Sequence, residues 1–226
     1  MQDSSGQHSS GQHSSGRQVS DAPAPPAARA GTPSSRRWRV VDIVVASVVG
    51  VALGVVFWAW TIAYEGISAP LKALLPGLQS FPEAIWLVGA VIGGLLIRKP
   101  GAALFVELLA AVVSALIGSQ WGLLTVVSGL VQGLGAEIVF AIFLYRAWRL
   151  PVAWLAGAGA GVGLAVFELA VYYPGSSALF ATVYFVSAVV GGAVVAGTLS
   201  WLAVRALAGT GALSRFAAGR ETGELV

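Results

Sequence analysis

Three glutamates, Glu107, Glu137 and Glu168, fall inside long apolar runs, with no lysine or arginine in those runs to pair with them. A lone ionisable group in hydrocarbon is costly, so each marks a polar pathway, a ligand site or a protonated, hydrogen-bonded structural position. Glu168 has Tyr172 one helical turn further along the same face. In the run before it, Trp121, Thr125, Ser128 and Gln132 recur at steps of four, three and four, which makes one polar and aromatic stripe. Phe180, Tyr184 and Ser187 repeat the pattern in the last run. Rings for stacking, a carboxylate for charge and an amide for hydrogen bonding suit a small ligand that is aromatic, polar and cationic. Interfacial anchoring would explain Trp121, Tyr172 and Tyr173 nearly as well, but not Gln132 or Glu168. Glu137 lies off the stripe, where a helix break at Gly133-Leu134-Gly135 would re-aim it.

Other chemistry is scarce. There is no phosphate-cradling Walker sequence, so the chain is not expected to hydrolyse ATP. No zinc-protease motif, no serine-hydrolase elbow and no cysteine is present, and no nucleophile and base stand together, so no enzyme activity, metal site or cofactor is expected. Residues 157–163 read GAGAGVG inside an apolar run, where small residues let helices approach closely. Ala46, Gly50 and Gly54, then Gly89 and Gly93, then Gly129 and Gly133, repeat the spacing of four. Such stripes serve internal packing or docking onto another membrane subunit. His8 and His13, the only histidines, belong to a solvated tail.

The elements that must position these residues are helices in a bilayer. Apolar residues make up 57% of the chain and charged ones 10%, with mean hydropathy +0.81. Soluble domains carry about 25% charged residues. Six runs read as spans, at about 40–64, 83–97, 102–117, 120–145, 151–173 and 177–207. The second and third are short and are parted by a turn at Arg98-Lys99-Pro100-Gly101. Arg36, Arg37 and Arg39, then Arg98 and Lys99, Arg146 and Arg149, and Arg205, Arg215 and Arg220 alternate with ends poor in basic residues. This places both termini in the cytoplasm and assigns the net charge of +3 to topology rather than to nucleic acid. Residues 65–82, broken by Pro70, Pro76 and Pro82, read as a long loop, either a lid or a plain connector. Residues 1–35, with the SSGQH unit at 4–8 repeated at 9–13, read as a disordered tail and not as a signal peptide. Residues 36–208 read as the membrane domain and 209–226 as a cytoplasmic tail.

Four stretches carry a family resemblance: WRVVDI at 38–43, RKPGAA at 98–103, GLVQGLGAE at 129–137 and TGALSRFAAGR at 210–220. On these the chain resembles the YkoE family, the substrate-binding (S) components of energy-coupling-factor (ECF) transporters for thiamin and its hydroxymethylpyrimidine precursor. The resemblance covers about residues 36–220. It implies an all-α integral membrane protein, an S-component-like bundle of about six transmembrane helices. Its ligand pocket would face outward between helices four to six, covered by the loop after helix one. It also implies partners: a transmembrane coupling (T) subunit and cytoplasmic ATPases that drive release of the vitamin inside. Ala46, Gly50 and Gly54 lie on the helix that docks the coupling subunit in such proteins, with glycine at two places where relatives often have alanine. The candidate substrate-binding residues are Trp121, Ser128, Gln132, Glu168, Tyr172 and Tyr184, followed by Glu107 and Glu137. A carrier working alone on an ion gradient, with the glutamates as relay groups, is the alternative reading; a scaffold without ligand is a third.

Overall fold

The computed structural model describes residues 37–210. The tail readings for 1–35 and 211–226, and with them Arg36, His8, His13, Arg215, Arg220 and most of the 210–220 stretch, lie outside the described residues.

All regular structure in the described residues is helical: α1 Val40–Leu74, α2 Val88–Ile97, α3 Ala102–Ile117, α4 Leu124–Ile142, α5 Leu150–Val171, α6 Ala178–Gly191 and α7 Thr198–Gly209. Two 3-10 segments, Leu78–Ser80 and Pro82–Leu87, lead into α2. A π-helical stretch, Gly192–Gly197, fuses α6 to α7. Five stretches are long and apolar enough to cross a bilayer: Val40–Leu74, Leu78–Ile97, Leu124–Ile142, Leu150–Val171 and Ala178–Gly209. The sixth apolar helix, α3, has 16 residues and rises about 24 Å, less than a bilayer core of about 30 Å.

Several boundaries depart from the sequence reading. α1 does not stop at Tyr64 but runs 35 residues to Leu74, with Pro70 inside it. The proline ring crowds the carbonyl of residue i−4, which here belongs to Gly66, a residue with open space around it. The long loop expected at 65–82 therefore shrinks to short links around the 3-10 segments. α4 is unbroken through Gly133 and Gly135. It ends at Ile142 because Leu144 and Tyr145 adopt positive φ (52° and 54°) and turn the chain. The last span carries a π-helical stretch that the sequence did not announce.

The glycines act through packing. On α5, a Cβ added at Gly163 would stand 2.5 Å from the Val131 carbonyl oxygen, and one at Gly159 would stand 2.5 Å from that of Gly135, so this face lies against the α4 backbone. Gly157 and Gly161 meet the backbone of Gly192 and Ala188 on the other side. The GAGAGVG run is thus the spine between two helices. The Ala46, Gly50, Gly54 stripe also serves the interior. All three are buried, and a Cβ at Gly54 would stand 2.8 Å from the Ala110 carbonyl oxygen of α3. The stripe assigned to partner docking is occupied within the chain, because α3 packs directly on it.

Three of the four recognition stretches meet in one place. Trp38 Nε1 donates to the Pro100 carbonyl at 2.9 Å. Lys99 Nζ pairs with Asp42 Oδ2 at 2.6 Å and also donates to the Arg37 carbonyl. Glu137 accepts from the backbone N–H of Gly101 (2.6 Å), Ala103 (3.0 Å) and Leu104 (3.3 Å), and from the Tyr145 hydroxyl (2.7 Å). An acid at the start of a helix satisfies N–H groups that lack helical partners. Glu137 of α4 therefore caps α3, and Asp42 holds the start of α1 to the α2–α3 turn.

Candidate functional site

A cavity of about 340 Å³ opens at the other end of α4 from Glu137. Its walls are built from periodic faces. Phe57, Thr61 and Tyr64 on α1 follow i, i+4, i+7 spacing, as do Glu107, Ala111 and Ser114 on α3. Trp121, Thr125, Ser128 and Gln132 contribute the stripe expected from the sequence; Trp121 stands in the turn before α4 and the rest on the helix. That turn is shaped by Gly118 (φ 122°) and Gly122 (φ 56°), conformations that favour glycine. Glu168, Tyr172 and Tyr173 close the wall from the end of α5, and Glu83 and Trp86 from the 3-10 segment before α2.

Two features dominate the cavity. The first is aromatic. Trp86 lies with ring centroids 5.0 Å from Tyr64 and 5.2 Å from Trp121, and Tyr64 lies 6.3 Å from Trp121. Trp86 is fixed by its indole N–H, which donates to the Phe57 carbonyl at 3.1 Å. Three rings in tilted and edge-to-face contact present faces on which a flat cation can rest.

The second feature is a pair of carboxylates. Tyr64 donates to Glu83 Oε1 at 2.5 Å. The Tyr184 hydroxyl stands 3.0 and 2.8 Å from the two Glu83 oxygens and is in hydrogen-bond contact with Glu168 Oε2. Tyr184 is fully buried and does not line the cavity; it positions both acids from behind. Its helix is anchored by Ser80 Oγ, which donates to the Tyr184 carbonyl at 2.7 Å. On the polar side, Gln132 Nε2 donates to Ser128 Oγ at 2.6 Å, and the Ser119 and Thr125 hydroxyls lie 2.9 Å apart. Tyr172 and Tyr173, just past α5, have phenol pKa values raised first by burial, and nearby carboxylates add to the rise. Both are neutral hydroxyls near pH 7.

The structure gathers Trp121, Ser128, Gln132, Glu168, Tyr172 and Glu107 around one cavity. Glu107 is also structural, since its Oε2 accepts from the Ala90 N–H at 2.6 Å, in the first turn of α2. Gly89 makes this approach possible, because a Cβ there would stand 2.6 Å from that oxygen. Glu137 is not among the lining residues; it caps the start of α3 and accepts from the Tyr145 hydroxyl. Phe180 and Ser187 of α6 do not line the cavity either, and α1, α3 and the 3-10 segment take the place expected of α6. Glu83, Tyr64 and Trp86 were missed. Glu83 stands at the first residue of the second apolar run, and no periodic pattern marks a 3-10 segment as part of a wall. The Phe57–Thr61–Tyr64 face was legible as a stripe but looked like ordinary apolar sequence.

These features define a class: a multi-pass helical membrane protein that holds a small organic ligand in a cavity between its helices. Residues 41–163 match the family described as an ABC-type cobalt transport system, permease component. The chain is 36% identical over 203 residues to a Bacillus subtilis (strain 168) protein that carries the name putative HMP/thiamine permease protein YkoE; the match covers 82% of this chain and 92% of that one. A solved structure titled as an S-component of an ECF transporter superposes with a TM-score of 0.76 at 35% identity, over 83% of this chain and 94% of the other. The chain belongs to the YkoE family of ECF-transporter S components, and it is a transport protein, not an enzyme.

Proposed function

We propose that this S component captures thiamin from outside the cell and presents it for uptake driven by partner ATPases. The observation that carries the reading is the juxtaposition of the Tyr64–Trp86–Trp121 ring cluster with the Glu83–Glu168 pair, in a cavity whose described lining contains no lysine or arginine. Thiamin offers a permanently charged thiazolium for the rings and carboxylates, and an aminopyrimidine whose nitrogens suit Gln132 and Ser128. Hydroxymethylpyrimidine lacks the fixed charge and would leave the acids without a counterion. The name of the Bacillus subtilis relative covers both compounds. Substrate-binding roles go to Trp121, Ser128, Gln132, Glu168 and Tyr172, with Glu83, Tyr64 and Trp86 added and Tyr184 as a positioning residue. Glu107 is a lining residue that also caps α2, and Glu137 has no place in this set.

The remaining parts of the assembly follow from the same reading. Arg37, Arg39, Arg98, Lys99, Arg146 and Arg149 flank alternate helix ends, which supports a cytoplasmic side there and cytoplasmic termini. The cavity then faces outward. A pair of ATPases supplies the energy and a T subunit couples it to this chain, which carries no Walker sequence of its own. With the small-residue stripe of α1 buried against α3, a membrane partner would meet the exposed face carrying Val44, Val48, Val51 and Val55.

The test is titration of the detergent-purified chain with thiamin and with hydroxymethylpyrimidine, read by tryptophan fluorescence and calorimetry, with Trp121→Ala and Gln132→Ala alongside. Saturable thiamin binding that weakens in both variants is expected. Tighter binding of the neutral pyrimidine, or no response from folded protein, would sink the assignment. Uptake in cells lacking the ATPases, driven by a proton gradient, would favour the carrier reading instead.

A further inference from the structure

Hydrogen-bond donors are too few around the carboxylate pair. The Tyr184 hydroxyl has one proton, yet both oxygens of Glu83 and Oε2 of Glu168 lie within its reach. The Tyr64 hydroxyl adds one more proton, shared between Glu83 Oε1 at 2.5 Å and the Gln79 carbonyl at 3.1 Å. If Tyr184 donates to Glu83, its oxygen faces Glu168 Oε2 lone pair to lone pair; if it donates to Glu168, the same conflict arises with Glu83. One carboxyl proton removes the conflict in either arrangement, because a hydroxyl oxygen both donates and accepts. Among the described residues, Tyr64 and Tyr184 are the donors that reach these carboxyl oxygens. The titratable groups facing the pair are Tyr64 on α1, Tyr172 and Tyr173 at the end of α5 and Tyr184 on α6, and Glu65 and Glu107 line the same cavity.

We propose that Glu83 and Glu168 hold one proton between them through the Tyr184 hydroxyl, so that the pair presents a single negative charge matched to a monocationic ligand. This rests on the cation-binding reading above and deepens it by assigning Glu83 as half of the ligand's counterion. The charge belongs to the pair rather than to either residue. Glutamine is nearly isosteric with a protonated glutamate, and its amide can donate to Tyr184 while its carbonyl accepts. Either single replacement therefore preserves the hydrogen-bond chain and the single charge, whereas replacing both removes the charge.

The experiment compares thiamin affinity in full-length E83Q, E168Q and the E83Q/E168Q double variant. Each single variant is expected to weaken binding by about twofold and the double by about fiftyfold or more, well beyond the roughly fourfold that independent losses would give. A single variant that loses as much as the double, or losses that simply multiply, would overturn the shared proton. Infrared spectra of the unliganded chain supply a second readout independent of the double variant's folding. A protonated-carboxyl stretch diminished equally in E83Q and E168Q supports the proposal, and a band unchanged in either overturns it. Should thiamin not bind the unsubstituted chain, the cation reading fails, while the infrared comparison still decides whether the pair shares a proton.

Discussion

Replacing Lys99 by methionine breaks the ion pair that ties α1 to the α2–α3 turn, and with it the bond to the Arg37 carbonyl. Lys99 Nζ lies 2.6 Å from Asp42 Oδ2, and Asp42 is wholly buried. Methionine keeps much of the side-chain length and removes the charge, so Asp42 loses its buried partner. Breaking one side of a buried pair costs about 3–5 kcal/mol. Arg39 remains 3.0 Å from Asp42 Oδ1, but its side chain is 55% exposed, and such a partner returns at most about 1 kcal/mol. The expected loss is therefore about 3 kcal/mol, near the low end of that range. In a chain of this size each kcal/mol moves the melting temperature by about 2–4 °C, so Tm should fall by about 6–12 °C. Thermal unfolding in one fixed detergent, followed by tryptophan emission, measures it. The Asp42→Asn/Lys99→Met double variant should lose less than the two singles combined, since each single strands the other's group. A fall below about 2 °C, or strict additivity, would refute the view that this pair clamps α1.

Glu107→Leu should destabilise the chain by about 1–3 kcal/mol, because the Ala90 N–H loses its acceptor, while Glu107→Gln keeps a carbonyl there and should cost less; thermal melts of the two variants decide it. Gly163→Val should abolish folded yield, since its Cβ meets the Val131 carbonyl of α4 at 2.5 Å; size-exclusion profiles read this, and a monodisperse variant would contradict the backbone contact. Trp86→Ala should weaken thiamin by about tenfold and Trp86→Phe by less, if the ring face holds a cation; equal losses would point to packing instead.

Much of the architecture was legible because a bilayer demands long apolar segments with satisfied backbones. The six apolar runs, among them the 102–117 helix, could be read directly, as could the Trp121–Gln132 face, since helical periodicity is local. The reading failed where nonlocal contacts overrode local signals. Pro70 suggested a break, yet α1 continues past it. Gly133 and Gly135 suggested another, yet their missing side chains serve contact with α3 and α5, and α4 stays unbroken through them. Glu137 looked like a ligand residue until α3 placed its N-terminus against it.

By itself, then, the sequence determined a helical membrane protein, the turns that punctuate it and one face of a polar, aromatic cavity. Only the tertiary structure decided which acid does what. Glu107, Glu137 and Glu168 are alike in their local settings: each is a carboxylate in an apolar helix. They part company because one meets the start of α2, one the start of α3, and one a tyrosine that also touches Glu83. Those partners lie 17, 36 and 16 residues away for the respective bonds. A carboxylate's role in hydrocarbon is set by which donor reaches it, and that donor comes from a neighbouring helix.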